Sequence, residues 1–149
     1  MKGPYLYLFL MGWMPLVGHE VFAQAHIDWN LLNDVRFTTR TDSALGMSYD
    51  EASFGKWLLP FDGKEVAITG YMIPLDGLGL SWVLSRNPNA SCFFCGGAGP
   101  ETVLELQLRP SALRKYKLDE RRTFKGRLQL NRRNLDHLTY VLSDAEPLE

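Results

Sequence analysis

The stretch "EVAITGYMIP" at residues 65–74 decides the fold that the sequence predicts. Its apolar residues Val66, Ile68 and Met72 recur with a period of two, which is typical of a β-strand with one buried face. Gly70 interrupts the pattern, and a glycine inside a strand indicates a bulge or a sharp bend. Small barrels need strands that bend, so this stretch predicts the first strand of a barrel.

Four later segments show the same alternation and predict four further strands. Their apolar faces are formed by Leu80, Trp82 and Leu84; by Leu104, Leu106 and Leu108; by Phe124, Leu128 and Leu130; and by Leu138, Tyr140 and Leu142. Five strands with one apolar face each predict a small antiparallel barrel that is closed or nearly closed.

The segment "PSALRKYKLDE" at residues 110–120 lies between the third and the fourth predicted strands. Ser111 is a suitable N-cap, and Leu113 and Tyr116 follow at helical spacing, so we expect a short helix there. Three strands, a helix and two strands is the element order of the OB-fold. The sequence thus predicts an all-β fold with one short helix: a five-stranded OB-like antiparallel barrel preceded by an N-terminal extension.

Residues 1–25 differ from the rest of the chain. They combine the basic Lys2, an apolar run too short for a comfortable membrane span, and small residues suited to cleavage after Ala23 or Ala25. This pattern predicts a signal peptide, with a retained N-terminal anchor as the alternative. No cysteine follows the apolar run, so we expect an exported protein, periplasmic or secreted, that is not a lipoprotein.

Residues 26–64 form the N-terminal extension, which we expect to pack on the barrel of residues 65–149. In this extension Trp29 and Leu32 lie at helical spacing and predict a short helix or a docking anchor. The polar, weakly patterned residues 38–53 are expected to form a loop. The apolar segment "FGKWLLPF" follows and ends at the turn signal "DGK".

Charge is distributed unevenly along the chain. Residues 26–108 carry five Lys and Arg against ten Asp and Glu, whereas residues 109–149 carry ten against six. In an exported protein a basic segment suits an anionic surface or an acidic protein face, and we expect no nucleic-acid partner. Arg127, Arg132 and Arg133 are therefore candidate partner-binding residues, with a solvated basic face as the alternative.

The stretch "SCFFCGGAGPE" at residues 91–101 holds both cysteines of the chain, Cys92 and Cys95. The connection around it is too long and too rich in glycine for a tight hairpin, and such loops often carry function. Between the cysteines, Phe93 and Phe94 cannot both face one core. At least one of the two is expected to pack over the barrel mouth or to bind a partner.

Three interpretations of the cysteine pair stay open, whereas covalent haem is excluded because a glycine follows Cys95. A disulfide would close a four-residue loop and stabilise the protein by only about 2 kcal/mol. A thioredoxin-like redox centre needs a helix after its first cysteine, which the "GGAGP" segment disfavours. A zinc site needs further ligands, for which His137 and Glu101 are candidates, whereas Cys92 and Cys95 alone suit copper(I).

Several motifs together resemble one known family. "DGKEVAITGYMIPLD", a strand ending in "WVLS", a cysteine loop with Pro and Glu, and "TVLELQL" look like a family of small exported bacterial proteins, known only as a domain of unknown function. The similarity covers residues 57–149, and "GYMIPL" is its most specific part. The resemblance implies export and an OB-like core but no established activity. Its members often carry one cysteine and one histidine in this loop, and a metal site tolerates that exchange.

These observations leave three functions. The first is a non-enzymatic binding or accessory protein of the cell envelope that holds zinc or copper(I) in its Cys-x-x-Cys loop, with an envelope protein or a transporter as partner. The second is a protein- or lipid-interaction module with a structural disulfide, and the third is a thiol-disulfide oxidoreductase. The sequence holds no histidine-rich hydrolase motif, no nucleophile elbow and no nucleotide-binding loop, so binding is expected rather than catalysis.

Overall fold

The structure is a computed structural model that describes residues 24–44, 46–76, 79, 81–114 and 116–148. The strands that it describes are β1 (Ala25–His26), β2 (Val35–Asp42), β3 (Met47–Phe54), β4 (Glu65–Pro74), β5 (Trp82–Ser85), β6 (Val103–Leu108), β7 (Arg121–Leu130) and β8 (Tyr140–Leu148). An α-helix, α1, spans Trp29–Leu32. None of the helices in the described residues has the length and apolar character that crossing a bilayer requires.

Five strands close into a barrel in the order β4-β5-β6-β8-β7, and β7 pairs with β4 again. Four of these pairings are antiparallel, whereas β6 and β8 run parallel, because β8 inserts between β6 and β7. The predicted all-β, OB-like barrel of five strands is confirmed. The expectation that it is antiparallel throughout is corrected by this one parallel pair.

Strand β4 changes its pairing partner next to Gly70. Residues 65–71 pair with β7, and residues 71–74 pair with β5 on the other side. A Cβ atom at Gly70 would lie 2.6 Å from the backbone oxygen of Ser85, which is too close for any other residue. Gly126 of β7 has the same role, with its Cβ position 2.7 Å from the backbone oxygen of Ser143.

The barrel interior is filled by the predicted apolar faces. The side chains that are fully or almost fully buried there include Val66, Ile68, Met72, Trp82, Leu84, Leu104, Leu106, Phe124, Leu128, Tyr140 and Leu142. Leu108 and Leu130 are partly buried against the same cluster. Leu80 lies outside the described residues.

The helix predicted at residues 110–120 is wrong. Pro110–Ala112 form a single 3-10 turn, and no α-helix follows in the described part of this segment. Its N-cap position is Arg109, and Ser111 caps nothing. Leu113 has an extended backbone conformation and is 62% exposed. Of the two residues at helical spacing, Tyr116 alone is buried in the core. The helical spacing of these two residues was therefore coincidental.

The N-terminal extension is attached to the barrel through α1 and a β-hairpin. The short helix predicted at Trp29 and Leu32 is present, and the Trp29 indole N–H donates to the backbone oxygen of Thr69 at 2.7 Å. Residues 38–53, expected as a loop, are instead most of the antiparallel hairpin of β2 and β3. At the base of this hairpin the Phe54 ring contacts the Tyr140 ring, with centroids 6.0 Å apart.

Candidate functional site

The connection between β5 and β6 folds as successive 3-10 turns around the cysteine pair. Two of these turns span Asn89–Ser91 and Phe93–Cys95. The N–H groups of Cys95 and Gly97 both donate to the backbone oxygen of Cys92, at 3.3 and 3.1 Å. The chain therefore wraps closely round Cys92 and places the second cysteine beside it.

The two cysteines are free thiols in one tight loop, and the Cys92 Sγ–H donates to Asn89 Oδ1 at 3.9 Å. Cys92 is fully buried and Cys95 is exposed. The pKa of the Cys95 thiol is raised, first by its hydrogen bond with Cys92, then by desolvation and by the charge that Cys92 would carry. An attacking thiol in a redox centre needs the opposite shift, because the thiolate is the nucleophile. The raised pKa therefore disfavours Cys95 as an attacking thiol.

The structure does not bring the four predicted metal ligands together. Within the described residues no group of three or more His, Cys, Asp or Glu side chains is arranged to hold a metal ion. His137 instead contacts Glu105, with Nδ1 3.0 and 3.2 Å from its two carboxylate oxygens. Glu101 lies in the 3-10 turn before β6, where its negative charge helps to raise the pKa of Tyr140. Cys92 and Cys95 are left as a pair.

Glu105 is a residue whose role sequence reasoning missed, since its position on β6 predicts a solvent-facing side chain. Its carboxylate accepts hydrogen bonds from the Leu138 N–H at 3.1 Å and from the Gln107 amide at 3.3 Å, besides its contact with His137. These bonds tie the β7–β8 loop to β6. His137 and Leu138 lie 32 and 33 residues from Glu105 in the chain, so no local sequence signal could have shown these two contacts.

Phe93 and Phe94 differ in exposure, as expected for two adjacent aromatic residues in a loop. Their rings meet edge to face with centroids 5.4 Å apart, Phe93 is half-buried, and Phe94 is 46% exposed. The loop that carries them is fixed at its start, where the Asn89 N–H donates to the Asp119 carboxylate at 2.7 Å. Phe94 is therefore an exposed aromatic side chain on an anchored loop, next to the thiols.

The three candidate arginines do not line one cavity. The Arg132 guanidinium lies 5.7 Å from the centre of the Phe54 ring. Arg133 and Arg132 line a small cavity of about 120 Å³ beneath the β7–β8 loop. Arg127 lines a separate cavity of about 490 Å³ and donates to the backbone oxygen of Gly63 at 3.2 Å. The basic segment is thus divided over different parts of the surface.

Comparison with known proteins supports the fold. No family model matches this chain, and no curated protein matches it. A solved structure of a DUF3299 family protein from Pseudomonas aeruginosa PAO1 is similar, with a TM-score of 0.53 over 85% of this chain and 97% of that chain. The two sequences are 15% identical, so the likeness shows a shared fold alone. That neighbour belongs to a family defined by a domain of unknown function, in agreement with the kind of family that the motifs resemble.

Proposed function

We propose that this protein is a non-enzymatic binding module of the cell envelope, and that it holds one copper(I) ion between the sulfurs of Cys92 and Cys95. One observation supports the proposal: two free thiols lie in one tight loop, where the Cys95 N–H donates to the Cys92 backbone oxygen, and no group of three or more His, Cys, Asp or Glu side chains forms in the described residues. A structural zinc site takes four protein ligands. Copper(I) is a soft ion that thiolates bind without other ligands. Copper(I) is therefore the ion that we propose for this pair.

The unequal burial of the two sulfurs suits such a site. Cys95 is exposed and offers access to an incoming ion, whereas the buried Cys92 is fixed by the turns around it. Binding converts two thiols and one copper(I) ion into a bis-thiolate complex and releases two protons. Because the pKa of Cys95 is raised, its proton is harder to remove. The affinity for copper(I) is therefore expected to increase with pH.

The envelope location and the partner are parts of the same proposal. Residues 1–25 support export, and they lie largely outside the described residues. An exposed aromatic side chain beside the thiols, Phe94, is suited to contact a protein that delivers or receives the ion. We therefore propose a transporter or another envelope protein as the partner, with Arg132 and Arg133 available to an acidic face of it.

Metal analysis and thiol counting on protein from the envelope fraction of expressing cells test this function. The proposal predicts bound copper, with two titratable thiols that appear after chelation. No copper and no titratable thiols would contradict it and would favour an interaction module with a disulfide between Cys92 and Cys95. A partner trapped covalently by Cys95→Ser, but not by the double Cys→Ser variant, would contradict it in favour of an oxidoreductase.

A further inference from the structure

Cys92 forms hydrogen bonds with each of its polar groups. Its N–H donates to the backbone oxygen of Asn89 at 3.3 Å, and its Sγ–H donates to the Oδ1 atom of the same residue at 3.9 Å. Its backbone oxygen accepts from the N–H groups of Cys95 and Gly97. A thiol is a weak donor, so the position of this buried sulfur depends on how firmly Asn89 itself is held.

Asn89 is held by Asp119, which lies 30 residues further along the chain. The Asn89 N–H donates to the Asp119 carboxylate at 2.7 Å. The backbone of Asp119 is tied to the barrel in turn, because its N–H donates to the backbone oxygen of Met72 on β4 at 3.0 Å. Met72 is fully buried, and its own N–H donates to the backbone oxygen of Glu120 at 3.0 Å. A continuous series of contacts therefore leads from the barrel core to the Cys92 sulfur.

Asp119 has a left-handed backbone conformation, with a φ of 61°. In the part of the chain that the structure describes, Asp144 is the other residue besides glycines with a positive φ. Residues with a Cβ atom adopt this conformation at a cost, and glycine adopts it freely. Glycine at position 119 would fit the backbone better, but it would leave the Asn89 N–H without its acceptor. Strained residues of this kind cluster at functional sites, which supports a role beyond stability.

We propose that Asp119 and Asn89 are positioning residues that hold the Cys92 sulfur where copper(I) meets it, an inference that rests on the proposed function. In the metal-free protein the Asn89 amide oxygen accepts from the thiol. An asparagine side chain carries a donor as well as an acceptor, so the same residue also serves the sulfur after its proton has left. A site that is ordered before the ion arrives loses less conformational entropy on binding. Asp119 acts on the sulfur through Asn89 and is not a ligand.

Alkylation of the reduced, metal-free protein tests the positioning without copper. Labelling by iodoacetamide is followed at Cys92 and at Cys95 separately by peptide mass spectrometry. Asp119→Gly is expected to speed labelling of Cys92 severalfold, because a buried thiol reacts only when its loop opens, and to change labelling of the exposed Cys95 much less. Asp119→Asn retains an acceptor oxygen and tolerates the left-handed backbone, so it is expected to label as wild type does.

Labelling of Cys92 at the wild-type rate in Asp119→Gly would overturn the proposal, and so would equally fast labelling in Asp119→Asn. Asp144→Gly is the matched control, because it makes the same change at the other left-handed aspartate, on β8. It is expected to label Cys92 at the wild-type rate. Equal acceleration in Asp144→Gly and Asp119→Gly would also contradict the positioning, since labelling would then report a general loosening of the fold.

The affinity for copper(I), measured against a competing chelator, is the second readout. Asp119→Gly and Asn89→Ala are each expected to weaken copper(I) binding severalfold. The double variant is expected to weaken it by less than the product of the two effects, because both substitutions act on the same sulfur. Unchanged affinity in both single variants, or effects that multiply in full, would contradict the proposal. If wild type binds no copper(I), the proposed function fails, whereas the labelling rates still decide whether Asp119 positions Cys92.

Discussion

The substitution Tyr140→Phe tests how the N-terminal extension is held on the barrel. Tyr140 is fully buried, and its hydroxyl donates to the backbone oxygen of Leu32, the last residue of α1, at 2.6 Å. The last carbonyl groups of a helix have no partner inside the helix. Removing the hydroxyl therefore leaves a buried acceptor unsatisfied, which costs about 1–3 kcal/mol. We expect Tyr140→Phe to lower the free energy of unfolding by that amount.

Urea unfolding followed by circular dichroism measures this loss. An unchanged slope of the free energy of unfolding against urea concentration shows that the unfolded state is unaffected. Tyr71→Phe is the matched control. Tyr71 is half-buried on β4, and its hydroxyl has no hydrogen bond in the part of the chain that the structure describes. It is expected to change stability by no more than about 0.5 kcal/mol. Equal losses in the two variants, or no loss in Tyr140→Phe, would refute the reasoning.

The same residue predicts a dependence on pH. The pKa of Tyr140 is raised, mainly by burial and further by the charges of Glu101 and Asp34. The unfolded chain releases this proton at roughly pH 10, whereas the folded protein retains it. The stability of wild type is therefore expected to fall as the pH rises above that value. Tyr140→Phe lacks this ionisable group, so its stability deficit relative to wild type is expected to shrink as the pH rises above about 10.

Three further predictions concern the core, the β7–β8 loop and the leader. Leu128→Ala is expected to lower the free energy of unfolding by about 2–5 kcal/mol because Leu128 is fully buried. Gln107→Ala is expected to change it by no more than about 0.5 kcal/mol. Equal small effects of the two substitutions in chemical unfolding would mean that the assignment of the strand faces is wrong. Glu105→Ala is expected to speed amide hydrogen exchange at Leu138, whose N–H donates to that carboxylate, and unchanged exchange would contradict the tie between β6 and the loop. Intact-mass analysis of the envelope fraction is expected to show a chain without its first 23 or 25 residues, and a full-length membrane-embedded chain would contradict the signal peptide.

The barrel could be predicted because its strands turn alternate apolar side chains into the core. Burial imposes alternation, as in Val66, Ile68 and Met72, and alternation is visible in a single sequence. The hairpin of β2 and β3 could not be predicted in this way, because most of it is exposed. Polar pairs hold it instead, such as the hydrogen bond between Thr39 and Asp50 at 2.8 Å. Pairs of this kind leave no periodic pattern of apolar residues.

The candidate site was predictable only where it is local. The short spacing of Cys92 and Cys95 keeps both cysteines in one tight loop, and the adjacency of two phenylalanines was enough to leave Phe94 exposed. The position of His137 depends on Glu105, which lies on another strand. The presence of residue types that bind metals therefore did not show which of them share a site. Tertiary contacts decided that question.

Titration of the reduced protein with copper(I) against a competing chelator tests the central claim most directly. We expect one copper(I) ion per chain, with thiolate-to-copper absorbance that disappears in Cys92→Ser, in Cys95→Ser and in the double variant. His137→Ala is the control, because His137 contacts Glu105 rather than the thiols, and it is expected to bind copper(I) as wild type does. Failure of the reduced wild type to bind, or loss of binding in His137→Ala, would contradict a site made by the two cysteines alone.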